Sequence, residues 1–100
     1  MGVNMKMIQQ MQTRLEKMQR ELAETVVEGS AGGGMVTAQV TGARDFRGIS
    51  IDPAAVDPDD VEVLEDLITV AVQDAMNRAT ALAEEKMGAL TGGMRIPGLM

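Results

Sequence analysis

Between Pro58 and Gly88 the chain contains neither proline nor glycine. Few folds accommodate such a stretch within 100 residues. Asp57 is placed to N-cap a helix, Pro58 suits a first helical position, and Asp59, Asp60 and Glu62 favour the positive end of the dipole. A helix is therefore expected from 58 to about 87–90, roughly 45–50 Å long. Upstream, Val36, Ala38 and Val40 alternate with Thr37, Gln39 and Thr41, which marks a half-buried strand. Gly42-Ala43 turns the chain, and Ile49 and Ile51 alternate with Gly48 and Ser50 in a further strand. With the β-branched pair Val26 and Val27 as an earlier strand, the short connections predict a three-stranded antiparallel meander. The segment Gly29-Ser30-Ala31-Gly32-Gly33-Gly34 reads as a turn or loop. Three strands make a sheet only ~15 Å wide, so about half of the long helix is expected to project beyond it.

The N-terminal segment supplies a partner for the projecting half. Ile8, Met11, Leu15, Met18 and Leu22 recur at spacings of three and four, a narrow seam that predicts a helix over residues 4 to 24. Ala75, Ala79, Leu82, Ala83 and Leu90 form a similar stripe on the last helix. Antiparallel pairing of the two gives a projecting arm. Earlier in the last helix, Val61, Val63, Leu64, Leu67, Ile68, Val70, Ala71 and Val72 span roughly 200° of the circumference, more than the ~100° stripe of a one-sided helix. That width calls for a second subunit, with Val63, Leu64, Leu67, Ile68, Val70 and Ala71 as the expected interface. The expected class is α+β: long helix, three-stranded antiparallel meander, long helix, with a projecting arm on a shared dimeric base. Residues 1–100 form one domain, with 92–100 expected as a flexible tail.

Composition removes most chemistry. The chain has one aromatic residue, Phe46, ten methionines, and neither cysteine nor histidine. Thiol and imidazole catalysis, disulfides and nearly all structural zinc sites are excluded. No lysine and hydroxyl follow Gly34, so the glycine run fails the test for a phosphate loop. Asp57 to Asp66 lacks the alternating ligands and sixth-position glycine of a calcium loop. No catalytic residues, metal or cofactor are expected, and an enzyme is disfavoured, a hydrolase standing as a distant alternative. No apolar run reaches the roughly 20 residues of a membrane span, so the expected location is cytoplasmic, with no membrane and no small-molecule substrate.

Net charge is −6, yet it is not evenly spread. Residues 52–74 hold eight carboxylates and no lysine or arginine, whereas segments 1–24 and 75–100 each carry a net +1. Lys6, Lys17 and Arg20 fall opposite the seam of the first helix, flanked by Arg14. A plain solvated face explains these charges by themselves, because Glu24 lies among them. The arm changes the balance. Asp60 is 26 residues from Lys86, roughly 39 Å along the axis, and the Debye length is about 8 Å. With Lys6 and Lys86 expected toward the tip, phosphate binding there survives the acidic base.

Taken together, Met11-Gln12 through Met18-Gln19, Val27 through Val36, Gly48-Ile49-Ser50-Ile51-Asp52-Pro53, Asp57 through Ile68, Asp74-Ala75, Glu85-Lys86-Met87 and Thr91-Gly92-Gly93-Met94 resemble the YbaB/EbfC family of bacterial nucleoid-associated proteins. The resemblance covers nearly the whole chain. It implies a homodimer with paired helical arms that binds duplex DNA with limited sequence preference, organises the nucleoid and influences expression. Carried onto this chain, it implies Lys6, Arg14, Lys17, Arg20, Arg78 and Lys86 as phosphate contacts, with Arg95 adding reach. The rival reading is an interaction module that holds another protein, with DNA incidental.

Overall fold

The computed structural model describes residues 4–90. Its elements are α1 (Met5–Glu24), β1 (Val26–Ala31), β2 (Val36–Thr41), β3 (Phe46–Ile51), a 3-10 turn (Pro53–Ala55) and α2 (Val61–Leu90). The strands form one antiparallel sheet in the order β1-β2-β3. This is the expected α+β arrangement of helix, meander and helix. The expected tail, 92–100, lies outside the described residues.

The core sits between one face of the sheet and the middle of α2. Val36, Ala38 and Val40 of β2 are fully buried, and so are Ala71, Ala75 and Ala79 at four-residue spacing on α2. Gly29 and Ala31 of β1 pair with Ala38 and Val36 and extend the same face. Val27, Ile51, Leu64, Leu67, Ile68, Val72 and Met76 close the periphery. The helix stripe consists of alanines because helix and sheet approach at backbone distance. A Cβ placed on Gly29 would lie 2.6 Å from the carbonyl oxygen of Ala71.

That approach explains the first departure from expectation. Gly29, Ser30 and Ala31 belong to β1 rather than to a loop, and Gly29 serves as the strand position where another backbone passes closely. The turn itself is Gly32-Gly33-Gly34-Met35. Its three glycines have φ of 63°, 68° and 94°, a region costly for other side chains. The second departure is the start of α2. Asp57 does not cap the helix: its side chain accepts from the amide of Asp59 at 3.0 Å and its carbonyl from that of Asp60 at 2.9 Å. Asp57-Pro58-Asp59-Asp60 is a separate turn, with proline at the position such turns favour, and the helix begins at Val61.

At the other end of the sheet, Thr41 is a buried polar residue with its needs met. Its hydroxyl oxygen accepts from the amides of Ala43 at 3.2 Å and Asp45 at 3.1 Å. The same turn holds Arg44 at φ 70°. In β3, Gln39 faces Gly48 and Val40 faces Phe46, so Arg47 is the extra residue of a bulge. Phe46 and Ile49 remain exposed.

The shape is elongated: 68 × 25 × 16 Å, with a radius of gyration of 18.6 Å where a compact chain of this length has about 13 Å. Beyond the sheet, α2 runs antiparallel to α1. Leu22 and Leu82 meet over Gly42, Glu21 pairs with Lys86, and Arg14 and Lys17 lie beside Ala89 and Leu90. The seam assigns the burial: Met18 and Leu22 are the buried residues of α1.

Candidate nucleic-acid interface

The arm carries most of the candidate cations, and helix geometry sorts them. Arg14, Lys17 and Lys86 line one shallow cleft of about 300 Å³ together with Met18, Glu21, Ala89 and Leu90. Lys6 and Arg14 line the next groove outward, with Gln9, Gln10 and Thr13 between them. Arg14 belongs to both, so Lys6, Arg14, Lys17 and Lys86 follow one another along a side of the arm. The strip runs from Lys6 to the level of Glu21, fifteen residues or roughly 22 Å. Arg20 is exposed on the face opposite the seam.

The two candidates on α2 differ from the others. Lys86 does not reach the tip beside Lys6. Its Nζ lies 3.4 Å from Glu21 Oε2, and its side chain is 32% exposed. The antiparallel register puts it where α1 nears its C-terminal end, so its charge is shared with a carboxylate. Arg78 lies off the arm, where its Nε donates to both carboxylate oxygens of Asp74 at 3.3 and 3.2 Å. Asp74 also accepts from the backbone amide of Ser30 at 3.0 Å, tying α2 to the outer edge of β1. The Ser30 amide above all holds the Asp74 carboxyl below its ordinary value; desolvation opposes it, and the hydrogen bond and charge of the Arg78 guanidinium add to the lowering. Arg95 lies outside the described residues.

Sequence pattern singles out neither Arg44 nor Arg47. Arg44, in the turn after β2, lines a groove at the root of the arm with Met18, Gln19, Leu22, Thr80, Ala83, Glu84 and Met87. The Gly42-Ala43 turn is legible in sequence. Its placement beside α1 and α2 depends on contacts that no local signal carries.

The acidic block stands away from all of this. Asp57, Asp59, Asp60, Glu62, Glu65 and Asp66 are exposed around the start of α2. Glu62 is 24 residues from Lys86, roughly 36 Å along the axis and several Debye lengths in physiological salt. The potential along the arm is therefore set by nearby charges: the basic strip and Arg20 on one hand, and the exposed Glu16, Glu21, Glu24, Glu84 and Glu85 on the other. Among the described residues no group of three acidic side chains is arranged to hold a metal ion. None of the helices there is long and apolar enough to cross a membrane.

The sequence model of the YbaB/EbfC DNA-binding family matches residues 1–94. The chain belongs to the YbaB/EbfC DNA-binding family. A nucleoid-associated protein of Chloroflexus aurantiacus is 54% identical over 91 residues, which cover 91% of each chain. A nucleoid-associated protein of Alkaliphilus metalliredigens is 50% identical over 95 residues, covering 95% of this chain and 83% of the other. The fold matches the crystal structure of an uncharacterized Helicobacter pylori protein with a TM-score of 0.77. That match spans 91% of this chain and 100% of the other at 16% identity, a likeness of fold alone. YbaB/EbfC proteins are DNA-binding proteins rather than enzymes, and the arm of this member is the surface where its cations gather.

Proposed function

We propose that this chain is a nucleoid-associated protein that grips duplex DNA as a homodimer. Its phosphate contacts come from Lys6, Arg14, Lys17 and Arg20 of α1, with Lys86 contributing in part. The observation that carries this reading is the basic strip on an arm whose cations lie several screening lengths from the acidic block. Side chains on one helix face that meet phosphates without reaching base edges give limited sequence preference. Arg78 is a weaker contributor, since Asp74 already engages it, and Arg95 adds reach from the tail. Placement on the bacterial nucleoid, in the cytoplasm, and effects on gene expression follow from the same reading.

Dimerisation draws support from α2. Val63 and Val70, two turns apart on one face of the helix, are 49% and 55% exposed, with Leu64, Leu67 and Ile68 half-buried beside them. Ala71, expected in the same interface, is fully buried against the sheet of its own protomer and presents nothing to a partner. The interface is therefore proposed for Val63, Leu64, Leu67, Ile68 and Val70 without it. A second copy would give two arms on one base.

The test is a gel-shift titration at two salt concentrations with the wild type and a Lys6→Glu, Lys17→Glu, Arg20→Glu variant. Binding should weaken steeply with salt, with a slope near −0.9 per phosphate neutralised. The variant should lose affinity for unrelated sequences alike. Unchanged binding would remove these residues from the contact surface. Exposed Phe46 and Ile49 favour a second reading, a module for protein partners. Absence of any shift with micromolar protein at low salt would select that one.

A further inference from the structure

The outer part of α1 carries an apolar face that the described chain does not cover. Met5 is 68% exposed and Met11 47%, and Met7 and Ile8 are exposed beside them. Met7, Ile8, Met11, Gln12 and Leu15 line a continuous apolar groove. The groove continues the stripe that Met18 and Leu22 bury against α2, and it lies outward of Leu90, the last described residue, which sits beside Arg14. We propose that this open seam is an association surface for the same seam on a second copy of the chain, helix against helix.

Three observations select that occupant. Ile8, Met11, Leu15, Met18 and Leu22 keep the alternating three-and-four spacing along which two helices interlock, and the inner half of the seam already pairs with a helix. Few charges border the contact: between Met5 and Leu15 the charged residues are Lys6, which points nearly opposite the seam, and Arg14, which flanks it. Methionine also tolerates the inexact packing of a transient contact. The strip is short. Two copies bury several hundred Å² on the order of magnitude, below the roughly 1,200 Å² at which stable interfaces begin. Such a contact forms when copies are held near one another. On the DNA-binding reading given above, a duplex does the holding, since tethering raises effective concentration toward the millimolar range. The arm then has two working sides: cations for phosphate, and the seam for another arm.

The chain has no cysteine, so a single introduced thiol reports position cleanly. The full-length Met11→Cys protein, at high concentration and separately with duplex DNA, is treated with a short homobifunctional maleimide. Thr13→Cys, on the opposite side of the same helix, is the control. Covalent pairs should form predominantly through Met11→Cys, increase when DNA is present, and fall to the control level when Ile8→Glu is added. Equal pairing at the two positions, or none at Met11→Cys, overturns the proposal. So does a Met11→Cys thiol that a monofunctional maleimide cannot reach in dilute protein, because the chain's own tail or another partner then occupies the seam. The two readings fail separately. Selective pairing in concentrated protein that shifts no DNA keeps the seam and removes the DNA function, whereas a gel shift without selective pairing does the reverse.

Discussion

Gly29 of β1 lies directly against the backbone of Ala75 in α2. The missing side chain allows the helix to settle onto the sheet, with Ala71, Ala75 and Ala79 fully buried beneath it. Helix position over the sheet fixes the direction in which the rest of α2 leaves it. The arm's geometry therefore depends on a glycine of the sheet, outside the arm itself.

Gly29→Ala should destabilise the protein by about 1–3 kcal/mol or more, because the new methyl meets backbone atoms that cannot rotate away. Gly48→Ala is the matched control within the sheet. Its Cβ would meet Gln39 Oε1 at 3.6 Å, ordinary contact, and its effect should be small. Urea denaturation midpoints compare the two directly.

What could be read from sequence follows the range of each signal. Periodicity is local, so α1 from Met5 to Glu24, the alternation of β2 and the length of α2 all match expectation closely. Asp57-Pro58 carries two local meanings, helix start and turn, and the composition of the segment does not choose between them. Gly29 reads as a loop beside three further glycines, and becomes a strand residue only because a helix 46 residues downstream, at Ala75, requires the space. The cationic strip is equally divided. Helix periodicity places Lys6, Lys17 and Arg20 on one face, whereas the Lys86–Glu21 pair depends on a register between helices 65 residues apart in sequence. Ala71 shows the remaining ambiguity: a wide apolar arc says that two surfaces are covered, without saying which residue meets which.

The Asp74 carboxylate gives the fold a defined acid response. Its native value lies below the ordinary 3.8, held down by the Ser30 amide and the Arg78 guanidinium. Its contribution to stability is complete above the unfolded value and disappears as pH falls through the lower native one. Asp74→Asn should therefore be less stable than wild type near neutrality, and the gap should narrow below about pH 4. Chemical denaturation of both proteins at pH 7, 5, 4 and 3 reads the difference. A gap that stays constant to pH 3 would mean that the contact does not depend on charge.

Glu21 restrains a cation of the proposed DNA surface, so Glu21→Gln should strengthen binding rather than weaken it. Lys86 loses its carboxylate partner and can meet a phosphate, and one negative charge leaves the arm. The slope of log affinity against log salt should steepen by up to about 0.9, the value of one more neutralised phosphate. Stability should change by less than about 1 kcal/mol, since the pair is substantially exposed. Fluorescence anisotropy of a labelled duplex across a salt series measures the slope. An unchanged slope would place Lys86 outside the contact surface.

The arm's tip should be separable from the core in stability. Asn4 caps α1: its Oδ1 accepts from the Met7 amide at 2.8 Å, while its carbonyl accepts from Met7 and Ile8. Asn4→Ala should cost about 1 kcal/mol of local helix stability. The core cluster of sheet and α2 includes none of α1, and the first turn contributes no buried residue, since the first in α1 is Met18. Its fraying therefore leaves global unfolding untouched. Amide exchange at Met7 and Ile8 should quicken roughly fivefold, since 1.4 kcal/mol corresponds to a factor of ten. The urea midpoint and the exchange of β2 amides should stay where they are. A fall in the global midpoint equal to the local cost would show instead that the outer turns of α1 unfold together with the sheet, and the arm would then be part of the core's cooperative unit.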